Sequence, residues 1–67
     1  SQRMTKDNVL QALAQLPEEQ REALALAYFR NMTQQEIADA LGEPLGTIKT
    51  RIRLGMQKLR GLLIDEQ

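Results

Sequence analysis

"MTQQEIADALGEPLGTIKTR", Met32 to Arg51, is the stretch on which the fold turns. Thr33 followed three residues later by Glu36 has the form of a capping box, in which hydroxyl and carboxylate each accept from the other residue's amide. Met32 and Ile37 occupy the positions of a hydrophobic staple, so a helix is predicted from Gln34. Ile37, Ala38 and Leu41 give it a buried stripe over about two turns, and Gly42 can take the left-handed conformation that ends it. Pro44 suits the first position of a further helix. A short capped helix, a tight glycine turn and a longer helix describe a helix-turn-helix, and Ala38 is small where the second helix must cross the first.

Downstream, Ile48, Ile52, Gly55, Met56, Leu59, Leu62 and Leu63 trace one helical face. Gly46, Thr47, Thr50, Arg53, Leu54 and Gln57 fall on the opposite face, with Lys49, Arg51, Lys58 and Arg60 on its flanks. Three glycines weaken this helix, so packing is expected to hold it and its end past Gly61 to fray. Upstream, Pro17 suits the first position of a second helix reaching about Arg30, with Glu18 and Glu19 at its positive end and Leu24, Ala27 and Tyr28 buried. Val9, Leu10, Leu13 and Leu16 recur at helical spacing from about Asp7, with Thr5 or Asp7 as cap. The reading is all-α: a four-helix domain over residues 1–67 with its helix-turn-helix at about 33–60, of the winged-helix-like or homeodomain-like class without a wing.

Sixty-seven residues lie near the lower limit for one hydrophobic core. The absence of cysteine and histidine removes disulfides, thiolate metal sites, thiol nucleophiles and the usual proton shuttle, and no cofactor or metal is expected. No apolar run approaches the roughly 20 residues that span a bilayer, and no signal segment opens the chain. A cytoplasmic protein without a membrane partner is therefore expected. The chain starts at Ser1, which reads as a fragment of a longer protein or a processed chain.

The formal net charge of zero hides an asymmetry. Residues 1–43 carry a net charge of −3, whereas residues 44–64 hold Lys49, Arg51, Arg53, Lys58 and Arg60 and no acid, a net of +5. In a helix-turn-helix the second helix enters the major groove with its first turns at the base edges, so this strip implies DNA as the partner. Thr47 and Thr50 can bond to bases or phosphates, and Lys49 and Arg53 can reach guanine edges or backbone. Gln34 and Gln35, beside the free amides opening the third helix, and Arg30 just upstream are candidate phosphate contacts. Arg51 lies toward the core edge, where a pair with Glu36 or Asp39 competes with a phosphate contact. Leu54 on the outer face is either incidental or meets a thymine methyl or a protein. Any one of these cations alone reads as a solvated face; their number, the missing acids and the preceding turn set them apart. Catalysis is not expected, because adjacent Glu18 and Glu19 diverge by about 100° on a helix and no nucleophile–base pair, phosphate loop or metal-ligand spacing is present.

"LPEEQREALALAYFRNMTQQEIADALGEPLGTIKTRI" resembles the C-terminal promoter-reading domain, region 4, of bacterial sigma factors, above all the extracytoplasmic-function group. "LPEEQREAL", "MTQQEIADALG" and the run "EPLGTIKTR" carry the likeness, which extends from about Leu16 to Leu63. The resemblance implies reading of the minus-35 promoter element, contact with the beta-subunit flap of core RNA polymerase, and masking by an anti-sigma factor. Carried onto matching positions, the DNA contacts would be Pro44, Gly46, Thr47, Lys49, Thr50, Arg51 and Arg53; Lys58, on the flank of the helix, is a further candidate from its place on the strip alone. One departure stands out: where the family usually shows arginines, this chain has Leu54 and Met56, and Arg53 could compensate from one position earlier. Two other readings remain. The output domain of a LuxR-type regulator has a similar recognition helix, but Arg51 and the Pro-x-Gly-Thr turn argue against it. A helical module docking its basic helix on an acidic protein would differ in being insensitive to DNA.

Overall fold

The computed structural model describes residues 6–64, with side chains from Asp7 to Leu63. Four helices follow one another: α1 (Lys6–Ala14), α2 (Glu18–Phe29), α3 (Gln34–Leu41) and α4 (Leu45–Ile64), and the described residues include no strand. Thr5, one candidate cap of α1, lies outside the described residues, and Asp7 stands within the first turn rather than before it. α1 closes in a tight turn, the amides of Gln15 and Leu16 donating to the carbonyls of Ala12 and Leu13 at 3.1 and 3.0 Å. That turn buries Leu16 beside Ala12 and Leu13.

Pro17 precedes α2 instead of opening it. Its ψ of 147° is extended, and its carbonyl accepts the Arg21 amide at 2.9 Å, so the first helical residue is Glu18. A proline fits either position, because its fixed φ suits both and its missing N–H is needed at neither. α2 stops at Phe29, with Arg30 as its C-cap. Asn31 then takes the left-handed conformation (φ 54°), which asparagine tolerates better than most residues, and the Met32 amide turns back to the Leu26 carbonyl at 3.1 Å.

The capping box of α3 is formed on both sides. The Glu36 amide donates to Thr33 Oγ1 at 3.1 Å, and the Thr33 amide donates to Glu36 Oε1 at 2.8 Å. Gly42 ends the helix at φ 68° and ψ 34°, and both its amide and that of Glu43 go to the Ala38 carbonyl. After Glu43 and Pro44 the chain is helical again: the Pro44 carbonyl accepts the Ile48 amide at 3.2 Å and α4 begins at Leu45.

α4 packs against each of the other three helices. Ile48, Ile52 and Leu59 from α4 join Leu24 and Ala23 from α2, Ile37 and Ala38 from α3, and the buried residues of α1 in one core. Ile37, Ile48 and Leu24 are the largest side chains wholly enclosed, each contributing about 1.5–3 kcal/mol of burial. α4 continues past Gly61, where its sequence suggested fraying, to Ile64, and half-buried Leu62 and Leu63 pack against that core. Gly55 is more than a weak point. A Cβ there would stand 2.9 Å from Leu24 Cδ1 and 3.3 Å from Gln20 Cβ, so its bare backbone is what lets α4 lie close on α2. Tyr28, expected in the core, is 60% exposed. The buried residues of α2 are Ala23 and Leu24, and Tyr28, one turn further on, stays largely open to solvent.

Ala38→Leu is expected to overpack the α3–α4 crossing and cost about 1–3 kcal/mol, read as a lower urea midpoint. The glycines should separate: Gly61→Ala, with open space around its Cβ, should gain roughly 0.5–1 kcal/mol of helix stability. Gly55→Ala should lose that gain to the clash with Leu24, leaving the melting temperature at or below that of the parent.

Candidate nucleic-acid interface

Because the core holds α4 by the stripe through Ile48, Ile52 and Leu59, its opposite side is left to solvent. Gly46, Lys49, Thr50, Arg53, Leu54, Gln57, Lys58 and Arg60 are exposed, and Thr47 is half-buried near the start of the helix. Pro44 is exposed at the turn that delivers the chain into α4. Pro44, Gly46, Thr47, Lys49, Thr50, Arg53, Leu54 and Lys58 thus lie along one helix and its entry, on the sides that the core does not occupy. Gln57 shares their face and was left out of the sequence-based candidates, although its spacing of seven residues from Thr50 marks it as a neighbour of that row.

Arg51 is only partly a member. It is half-buried and its guanidinium stands 3.5 Å from the Glu43 carboxylate, not beside Glu36 or Asp39. The partner lies in the turn between α3 and α4, whereas Glu36 and Asp39 on α3 are exposed. At that separation the pair is loose and adds under about 1 kcal/mol, which leaves the guanidinium free to exchange partners. Arg21, by contrast, is tied to Glu18 at 2.7 Å within α2.

At α3 the capping box uses the amide of Glu36, so the amides that remain without intrahelical acceptors are those of Gln34 and Gln35. Both glutamines are exposed, and the Gln35 side chain donates to Asp39 Oδ1 at 3.0 Å, which aligns it along the helix rather than outward. Arg30 is exposed at the C-cap of α2, on a different element from the α4 row.

A basic recognition-type helix, held from behind by three helices and preceded by a capped two-turn helix, is a helix-turn-helix geometry. Residues 12–61 match the family described as Sigma-70, region 4. The chain belongs to the sigma-70 region 4 family. It is 51% identical over 49 residues to the ECF RNA polymerase sigma factor RpoE of Cereibacter sphaeroides, a match covering 73% of this chain and 27% of that protein. Over 59 residues it is 36% identical to the ECF RNA polymerase sigma factor SigW of Bacillus subtilis, covering 88% and 32% of the two chains. With the ECF RNA polymerase sigma factor SigK of Mycolicibacterium vanbaalenii it shares 43% over 51 residues, 76% and 26% of the two. The chain therefore spans about a quarter to a third of the length of these relatives, and it is a region 4 domain of the extracytoplasmic-function type. Region 4 is a DNA-binding domain rather than a catalytic one.

A second surface escaped the sequence reading. Val9, Leu13, Tyr28, Phe29, Met56 and Leu63 line an open apolar cleft of about 200 Å³ between α1, α2 and α4. The adjacent aromatics at the end of α2, past its last buried turn, were the available signal. No helix among the described residues is long and apolar enough to cross a membrane.

Glu43→Gln should release Arg51 at a cost below about 1 kcal/mol, whereas Thr33→Ala, which dismantles the capping box, should cost about 1 kcal/mol or more. Urea titrations of the two variants against the parent check the ranking.

Proposed function

We propose that this chain reads the minus-35 element of promoters for an RNA polymerase sigma factor, α4 lying in the major groove. The observation that carries the reading is the face of α4 itself: Lys49, Arg53, Lys58 and Arg60 exposed around Thr50 and Gln57, on a helix whose other side is fixed to a core. Thr47, Thr50 and Arg53 are placed for base edges, and Lys49, Lys58 and Arg60 for phosphates on the groove walls. Pro44 and Gly46 let the backbone come close at the helix start, and the free amides of Gln34 and Gln35 donate to a phosphate of the adjoining turn, with Arg30 nearby in sequence. Arg51 exchanges Glu43 for phosphate on binding.

The domain works by positioning, not by chemistry, and needs no cofactor; the 67 residues act as one module in the cytoplasm. Its second partner is the beta-subunit flap of core polymerase, for which the apolar cleft is a suitable surface because it opens on the side of α4 away from the basic strip. An anti-sigma factor that covered either surface would silence the domain. A LuxR-type output domain is set aside by the family match. A purely protein-binding module would leave the basic face indifferent to nucleic acid.

An amide NMR titration at low salt, with a duplex carrying an AAC-type upstream element and then a scrambled one, tests the reading. Larger shifts with the element are expected from Gly46 to Lys58 and around Gln34. Lys49→Ala and Arg53→Ala should each weaken binding several-fold without moving the melting temperature. Three to five phosphate contacts give a log–log salt slope of roughly −3 to −5, and a flat dependence would refute the DNA role.

A further inference from the structure

Four large apolar side chains are exposed among the described residues: Leu10, Tyr28, Phe29 and Leu54. Leu10 stands on α1, and Tyr28 and Phe29 border the apolar cleft; Leu54, 39% exposed, stands alone on the solvent side of α4. Its position there is specific. Thr47, Thr50 and Leu54 are spaced i, i+3 and i+7, so they form one row along the helix, and each ends in at least one methyl group. Arg51 and Lys58 flank the row on one side and Lys49, Arg53 and Arg60 on the other. From Thr47 to Leu54 the helix rises about 10 Å, some three base-pair steps.

A side chain in that row is stripped of water when the cations on both flanks meet phosphates. Against the amino, carbonyl or ring-nitrogen edges of most bases, a leucine would leave polar groups desolvated without partners. The major-groove group that it can cover with gain is the 5-methyl of thymine. We propose that Leu54, continued by the Thr50 methyl, reads thymine methyl groups in the inner part of the site, selecting A·T pairs there by apolar contact rather than by hydrogen bonds. The inference rests on the DNA reading above and adds to it the chemical feature recognised.

Replacing thymine by deoxyuridine removes that methyl and leaves base pairing intact. Fluorescence anisotropy at low salt would measure the affinity of this chain for the AAC-type duplex and for versions with each thymine of the element replaced singly by deoxyuridine. One or two positions are expected to lose roughly fourfold in affinity, and the others to be unaffected. Leu54→Ala should bind the thymine and deoxyuridine duplexes equally at those positions, while its helical circular dichroism and its salt slope match the parent's. Leu54→Met, which keeps the apolar reach, should retain the preference. Equal parental affinity for all the duplexes, or an undiminished thymine preference in Leu54→Ala, would overturn the inference while leaving DNA binding in place. Failure to bind any duplex would overturn the DNA reading itself, and this inference with it.

Discussion

Ile48, Ile52, Gly55 and Leu59 are the side of α4 on which the other helices close, and the rest of the domain depends on this twenty-residue helix being held by that one face. The helices approach closely at Gly55, where a Cβ would stand 2.9 Å from Leu24 Cδ1 and 3.3 Å from Gln20 Cβ. A helix with three glycines has poor intrinsic stability, so its order comes from burial of the stripe. Burial on one side leaves the other side chemically unconstrained, and that is where the cations are found. Packing and surface charge are therefore divided between two faces of a single element.

The turn before α4 sets where that free face points. Gly42 takes a left-handed conformation, the Ala38 carbonyl gathers the amides of Gly42 and Glu43, and α4 restarts two residues later. With Ala38, Ile37 and Ile48 enclosed at the crossing, α3 has little freedom to tilt against α4. α3 is too short to be stable alone, and the reciprocal Thr33–Glu36 bonds fix its start while Gly42 fixes its end. Along the sequence, the net charge of −3 on residues 1–43 contrasts with the +5 of residues 44–64, so the positive charge is concentrated in the segment that contains α4.

The parts of this arrangement legible in the sequence are those decided over short range. The capping box, the glycine stop and the apolar period of α4 each involve residues within a few positions of one another, and each is formed as its spacing suggests. What was misread depends on the placement of whole helices. Tyr28 has the right period for the core of α2 but borders an open cleft and stays 60% exposed. The Arg51–Glu43 pair joins α4 to the turn, a closeness that follows only from the backbone of Gly42 and Glu43. Gly55 counts as a defect when α4 is considered alone and as a fitted contact once α2 is beside it. Likewise Leu62 and Leu63 keep the last turn helical through contacts that no propensity contains.

The buried core residues are all apolar, so the fit of apolar shapes is the main determinant of the register of α4 on the body. A slip of one residue would rotate the helix by about 100° and carry Thr50 and Leu54 out of the outward row. The orientation of this face thus depends on the packing of Leu24 against Gly55 and on the enclosed Ile37 and Ile48, on the opposite side of the helix. The same fit shapes the apolar cleft, since Met56 and Leu63 in its wall are carried by α4 next to Gly55 and Leu59. Two surfaces of different chemistry therefore share one mechanical support, and a protein that opened the cleft by shifting α4 would disturb the basic row at the same time.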